Sequence, residues 1–378
     1  GVNLDEIEFS VDTDPVPTYL DPSQPVSNRV AHLLSLMTNE EKVGQMCLVD
    51  RSFLYVAAVP PDKPFPLRPS EPNHQEEDIR DYRLGGIFSG GGSSPTPNTP
   101  EAWADMVDRF QAYALETRLH IPVLYASDAV HGHNNLYGAT IFPHAIGLGA
   151  AGDADLVKRL SEVAAREMAA TGVRWTFAPS VSVPRNDFWG RVYEGYAETP
   201  AIAGQLGAAA VHGYQGDDLA ASTTVLATAK HYAGDGGTEG GVDTGNTILG
   251  TNEFLELHVA PYEDAVSAGC LAVMASLSSW NGDLLHGHTH LLTDVLKGDM
   301  GFKGFILSDW EGIDDLVDEP NDPLFNGYYL AITKGVNAGL DMIMIPHTYK
   351  FFQDRAIYAV GAGNAISGAR LDDAVGRI

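Results

Sequence analysis

The sequence predicts an α/β protein built as a (β/α)8, TIM-type barrel. Eight short apolar runs recur along the chain, mostly too continuous for half-exposed antiparallel strands and right for parallel strands buried on both faces. Segments of helical spacing lie between them, and no dinucleotide-binding glycine fingerprint follows the first run. That alternation without the fingerprint favours a closed ring over an open, doubly wound sheet.

Thr38 and Glu41 form a capping box ahead of the first run, Val43 to Asp50. The second run, Gly85 to Gly90, is flanked by two irregular stretches, Pro60 to Pro72 and Gly90 to Pro100, placed either at the rim of a site or on the plain surface. Pro100 opens a helix whose apolar face is Trp103, Met106, Val107, Phe110, Tyr113 and Ala114. After the third run, Pro122 to Asp128, a second amphipathic helix carries Leu156, Val157, Leu160, Val163 and Ala164 and stops at Gly172. The remaining runs are Thr176 to Ser182, Val225 to Tyr232, Ala272 to Ser279, Phe305 to Trp310 and Met342 to Pro346.

Leu371, Ala374, Val375 and Ile378 keep helical spacing to the last residue without a cap, so the polypeptide is expected to continue or to be completed by a second chain. The expected organisation is an N-terminal lead-in over 1–26, a catalytic barrel over 27–378, and a second domain outside this sequence.

Composition narrows the function. With 44% hydrophobic and 19% charged residues among 378, the chain can bury a large core and is too apolar to be disordered. Its formal charge of −27 would repel a phosphate backbone, which argues against nucleic acid as a partner. No apolar run approaches membrane-spanning length and no charged-then-apolar leader is present, so a processed protein without a membrane segment is expected. Cys47 and Cys270 lie in or beside apolar runs and read as buried thiols rather than a disulfide framework. No Asn-x-Ser/Thr sequon occurs, which fits an exported protein, secreted or periplasmic, from a source that does not N-glycosylate.

Barrel enzymes place their sites at the C-terminal ends of the strands, and polar residues gather there. Asp128 ends the third run, Arg185, Asp187, Trp189 and Arg191 follow the fourth, and Lys230 with His231 closes the fifth. The sixth leads into Ser278, Ser279, Trp280 and Asn281, and the seventh ends in Asp309, Trp310 and Glu311. Carboxylates and basic groups that grip hydroxyls, beside tryptophan that covers a pyranose face, suit a sugar site. Asp309 is the natural candidate for the attacking carboxylate; a lone Asp after a strand otherwise serves as a helix cap.

Several ordered motifs bear on that choice: Leu33-Leu-Ser-Leu-Met-Thr38 through Gln45-Met46, Asp128-Ala-Val-His-Gly-His133, Trp189-Gly-Arg-Val-Tyr-Glu194, Lys230-His-Tyr-Ala-Gly-Asp235, Met274-Ala-Ser-Leu-Ser-Ser-Trp-Asn281 and Gly304-Phe-Ile-Leu-Ser-Asp309-Trp-Glu-Gly-Ile313. Together they resemble glycoside hydrolase family 3 over essentially the whole chain. The resemblance implies a retaining, exo-acting β-glucosidase or β-1,3/1,4-glucan glucohydrolase, with Asp309 as nucleophile and Trp310 as one wall of the sugar subsite. It further implies that Asp128, Arg191, Lys230 and His231 hold the hydroxyls of the terminal glucosyl unit, with Met274 nearby.

Two departures stand out. Leu277 occupies a position where plant-type members usually carry an aromatic residue, and Thr244-Gly245 follows Asp243 where the single-domain N-acetylglucosaminidases carry an Asp-Ser-His acid. The resemblance therefore places the general acid in an α/β sandwich outside this chain. The run His286-Gly-His288-Thr-His290 has alternate spacing and no nearby Cys, and Asp187, Asp235 and Asp243 lack the one-in-two spacing of an EF-hand. No metal or cofactor is expected. Competing readings are a β-xylosidase or β-N-acetylhexosaminidase of the same family, or a barrel that binds carbohydrate without turning it over.

Overall fold

The computed structural model describes residues 16–55, 58–59, 71–72, 74–317 and 326–378. Most of the Pro60 to Pro72 stretch and residues 1–15 of the lead-in lie outside the described residues. Helix α1 (Val26–Leu36) precedes α2 (Asn39–Gln45), which starts on the capping box: Glu41 donates its backbone N–H to Thr38 Oγ1 at 3.3 Å and Glu41 Oε2 accepts from Thr38 N at 2.9 Å. The box keeps the chain helical to Gln45, so Val43 is a buried helix residue and the first strand starts only at Cys47.

Eight parallel strands close into a ring. β1 (Cys47–Asp50), β2 (Gly86–Ser89), β3 (Leu124–Ser127) and β4 (Trp175–Thr176) pair in order. β5 (Thr228–Tyr232), β6 (Ala272–Ala275) and β7 (Phe305–Leu307) form a second run, and β8 (Ile343–Met344) pairs with β1. Bridges at Trp175–Leu226 and Leu307–Met342 join the two runs. Each strand is shorter than its apolar run, because the chain leaves the ring while its side chains are still enclosed; Phe177 through Val183 all stay buried beyond β4.

The ring is filled by Leu48, Phe88, Trp175, Met274, Phe305 and Met342, among others. A second apolar layer lies between strands and helices. α3 (Pro100–Leu115) buries Trp103, Met106, Val107, Phe110 and Ala114, as its spacing predicts, and Thr99 Oγ1 accepts from Ala102 N at 3.3 Å to cap it. Each of those large side chains contributes roughly 1.5–3 kcal/mol of burial. α4 (Ala154–Ala170) is capped by Asp153 and ends before Gly172, whose φ of +83° suits glycine. Its buried face runs through Val157, Ser161, Ala164, Ala165 and Met168, so Leu156, Leu160 and Val163 flank the interface half-buried.

At the N-terminal end of the ring, Asp341 is fully buried just before β8. It accepts from Lys297 Nζ and Arg370 Nη2, each at 2.7 Å, and from Ile306 N at 2.8 Å. Arg370 belongs to α5 (Gly368–Arg377), so one carboxylate ties this helix to β7 and β8. Among the described residues no helix is long and apolar enough to cross a membrane.

Candidate active site

Four loops at the C-terminal ends of the strands bring their polar residues to one place. Asp128 stands directly after β3, and its Oδ1 lies 3.1 Å from Nζ of Lys230 on β5. Lys230 and His231 are almost fully enclosed at 4% and 3% exposure. His231 Nδ1 lies 2.8 Å from Asp235 Oδ2, and its Nε2 lies 3.1 Å from Arg191 Nη2 and 3.9 Å from Asp309 Oδ2.

Arginine can only donate. Nε2 of His231 therefore accepts from Arg191 and Nδ1–H donates to Asp235, which makes the ring neutral with one tautomer. Arg191 also grips Glu194 through two bonds, Nε to Oε1 at 2.7 Å and Nη2 to Oε2 at 2.9 Å. Burial works against the Glu194 carboxylate, yet the bonds from Arg191 and the charges of Lys230 and Arg191 outweigh it and hold its pKa down at about 2. The same contest raises the pKa of Arg191: burial opposes its charge, and Glu194, Asp235 and Asp309 prevail. Asp235 is likewise buried, but its bonds from His231 and Ser182 and the charge of Arg191 keep its carboxyl below the ordinary value.

Asp309 follows the Leu307 end of β7. Its Oδ1 accepts from Trp310 N at 2.6 Å, its carbonyl accepts from Ser308 Oγ and from Gly312 N, each at 3.0 Å, and its amide donates to His286 Nε2 at 2.9 Å. Oδ2 faces the His231 side of the cleft. Trp310 stands beside it, 37% exposed, with its ring edge-on to Phe88 at 6.0 Å. A carboxylate with one oxygen fixed, beside an imidazole and an exposed indole and in the field of a guanidinium, can attack an electrophilic carbon in a polyhydroxylated ligand.

The structure thus brings together Asp128, Arg191, Lys230, His231, Asp309 and Trp310. Met274 sits apart, 2% exposed and packed inside the ring. Trp280 is also buried, stacked on Phe254 at 4.3 Å, and Trp189 Nε1 donates to Asp243. Glu194, Asp235, Ser182 and His286 were not singled out as site residues from the sequence. Glu194 and Asp235 follow Arg191 and His231 by three and four residues, a spacing that predicts contact on a helix but not on a loop. Ser182 and His286 carry no such signal. The acidic residues and imidazoles considered for metal part company: Asp235 serves His231, Asp243 serves Trp189, and His288 stacks on Trp280. Among the described residues no group of three or more His, Cys, Asp or Glu converges as a metal site.

Residues 38–378 match the profile of the glycosyl hydrolase family 3 N-terminal domain. The chain belongs to glycosyl hydrolase family 3. Among family 3 relatives, it is 31% identical over 350 residues to a periplasmic beta-glucosidase of Salmonella typhimurium, covering 91% of this chain and 40% of that protein. It is 28% identical to a lysosomal beta glucosidase of Dictyostelium discoideum, covering 92% and 42%. The exo-1,3/1,4-beta-glucanase ExoP of a Pseudoalteromonas species superposes with a TM-score of 0.81 at 39% identity, over 96% of this chain and 43% of that one. The chain spans less than half the length of each of these relatives. The ring of eight parallel strands is the TIM-type barrel of the family's N-terminal domain.

Proposed function

We propose that this barrel is the nucleophile-bearing part of a retaining, exo-acting β-glucosidase or β-1,3/1,4-glucan glucohydrolase. The observation that carries the reading is the setting of Asp309: Oδ1 is fixed by Trp310 N at 2.6 Å while Oδ2 looks into a cleft shared with Arg191, Lys230, His231 and Asp128. In the first step Oδ2 attacks the anomeric carbon, the glycosidic C–O bond breaks, and a glycosyl ester forms on Asp309. The leaving oxygen takes a proton from a general acid in a second domain, the α/β sandwich that a downstream segment or another chain supplies. Water, giving its proton to that same group now acting as base, then attacks the anomeric carbon, breaking its C–O bond to Asp309 and returning the carboxylate.

Asp128 and Lys230 form one hydroxyl-binding pair and Arg191 with His231 another, and Trp310 covers a sugar face. Charge-assisted bonds of this kind strengthen as the ring flattens toward the oxocarbenium-like transition state. The periplasmic and lysosomal relatives support a secreted or periplasmic setting.

The test is Asp309→Asn in the complete protein, assayed on aryl β-glucoside with aryl β-xyloside and aryl β-N-acetylglucosaminide as controls. The amide cannot form the ester, so turnover should nearly vanish while the melting temperature stays close to wild type. Mass spectrometry after a 2-deoxy-2-fluoro-β-glucoside trap should place the adduct on Asp309. Wild-type turnover in the variant, or an adduct elsewhere, removes Asp309 from this role; preference for either control substrate moves the enzyme to another branch of the family.

A further inference from the structure

The imidazole run 286–290 plays no part in the cleft just described, yet its first member touches Asp309. His286 lies on a tight turn, Leu285–Gly287, and is 2% exposed. Its Nε2 accepts the Asp309 N–H at 2.9 Å, so that nitrogen carries no proton. The ring also hydrogen-bonds the Ser276 backbone; with Nε2 used as acceptor, Nδ1–H is the donor left for that bond. Both ring nitrogens are engaged and the tautomer is fixed. Burial drives the pKa of the ring down to about 4 against the opposing pull of Asp309, which keeps the acceptor available across the neutral range.

A second feature was built around this contact. A Cβ at position 312 would run into His286 Nε2, so only glycine lets the turn after Asp309 close over the ring. That turn returns Gly312 N to the Asp309 carbonyl at 3.0 Å, where Ser308 Oγ also donates. The amide, the carbonyl and one carboxylate oxygen of Asp309 are thus each held by a different group, and only Oδ2 is left to react.

We infer that His286 is a positioning residue for Asp309: its unprotonated Nε2 anchors the Asp309 main chain, and Gly312 supplies the space that lets it do so. This rests on the nucleophile reading of Asp309. A core histidine that merely satisfies a strand-end amide would affect stability; a positioning residue affects the rate at which Asp309 is glycosylated, per folded molecule.

Three variants of the complete protein separate these roles. His286→Gln carries an acceptor oxygen to about the reach of Nε2, His286→Phe keeps the ring shape without an acceptor, and Gly312→Ala keeps the imidazole but displaces it. The readouts are the rate of covalent labelling by a 2-deoxy-2-fluoro-β-glucoside with a good leaving group, the inhibition constant of glucose, and the folded fraction by near-UV circular dichroism. His286→Phe and Gly312→Ala should slow labelling about 10²-fold per folded molecule, the order expected for a reacting group misplaced by ~1 Å, with glucose inhibition within about threefold of wild type. His286→Gln should label within about tenfold of wild type, since it restores the bond that the other two lose. Labelling by His286→Phe and Gly312→Ala at the wild-type rate per folded molecule overturns the inference, as does a loss in His286→Gln equal to theirs. If His286→Phe fails to fold, Gly312→Ala and His286→Gln decide. Asp309→Asn run alongside keeps the readings apart: turnover by that variant defeats the nucleophile reading, whereas its silence beside fully active His286→Phe defeats the positioning role alone.

Discussion

Arg191 donates through Nη2 to Nε2 of His231 across 3.1 Å while the same Nη2 and the neighbouring Nε hold Glu194. One guanidinium therefore sets the tautomer of a histidine on β5 and the ionisation of a glutamate on the preceding loop. Removing it leaves the Glu194 carboxylate, 12% exposed, without its partner. Arg191→Met should destabilise the fold by about 2 kcal/mol, below the usual range for a buried pair because Arg191 itself keeps solvent contact. Urea denaturation of the two proteins measures the difference.

Glu194 also gives stability a defined acid dependence. Its folded pKa of about 2 lies below the ordinary 4.5, so the unfolded chain binds the proton first as pH falls. The stabilisation is complete above pH 4.5 and is lost as the pH drops from there toward 2. Urea midpoints measured across that window should fall for wild type and fall less steeply for Glu194→Gln. Asp235, also held below its ordinary value, leaves a residual slope in the variant.

Lys230→Ala or Asp128→Ala breaks the 3.1 Å pair between β5 and the β3 loop. Contacts to substrate hydroxyls serve both ground and transition states, so each variant should raise KM and lower kcat together. Steady-state kinetics on an aryl β-glucoside provide the check, and unchanged values in both would leave the pair a structural role only.

The opposite end of the ring should respond in stability alone. Asp341→Ala takes the nearer carboxylate from Lys297, 8% exposed, and from Arg370, leaving both to Asp373 at 3.6 and 2.9 Å, at a cost of about 3 kcal/mol, the low end for breaking a buried pair. The activity that remains per folded molecule should match wild type, as read by active-site titration beside thermal melts.

Leaving-group dependence tests where the proton comes from. Residues 1–378 alone should be labelled at Asp309 by 2,4-dinitrophenyl β-glucoside, whose phenolate departs without protonation, and should be inert toward cellobiose and laminaribiose. General acid catalysis contributes roughly 10²–10⁴-fold, so the gap between the substrates should be wide. Efficient cellobiose cleavage by this fragment would show that the barrel carries its own acid.

Much of the architecture was legible because burial leaves a period. The face from Trp103 to Ala114 is read from its spacing and packs as read, and the eight apolar runs mark the eight strands. Boundaries were less so: Val43 is apolar in either a helix or a strand, and only the capping bonds of Thr38 and Glu41 decide for the helix. In the cleft, polar residues at strand ends are visible as a pattern, and Asp128, Lys230, His231, Arg191 and Asp309 do converge. Their supports were not visible. Ser182 reaches Asp235 over 53 residues and His286 reaches Asp309 over 23, and nothing in a linear string announces contacts made by irregular backbone.

The pairing of β1 with β8 has a consequence for biosynthesis. Cys47 cannot meet Ile343 until the long stretch between them has been translated, about 15–60 s later at ~5–20 residues per second. Throughout that interval the nascent strands present unpaired parallel edges, the kind of surface that recruits other chains. Such a polypeptide needs shelter while it waits, and slower elongation prolongs its exposure instead of helping it fold.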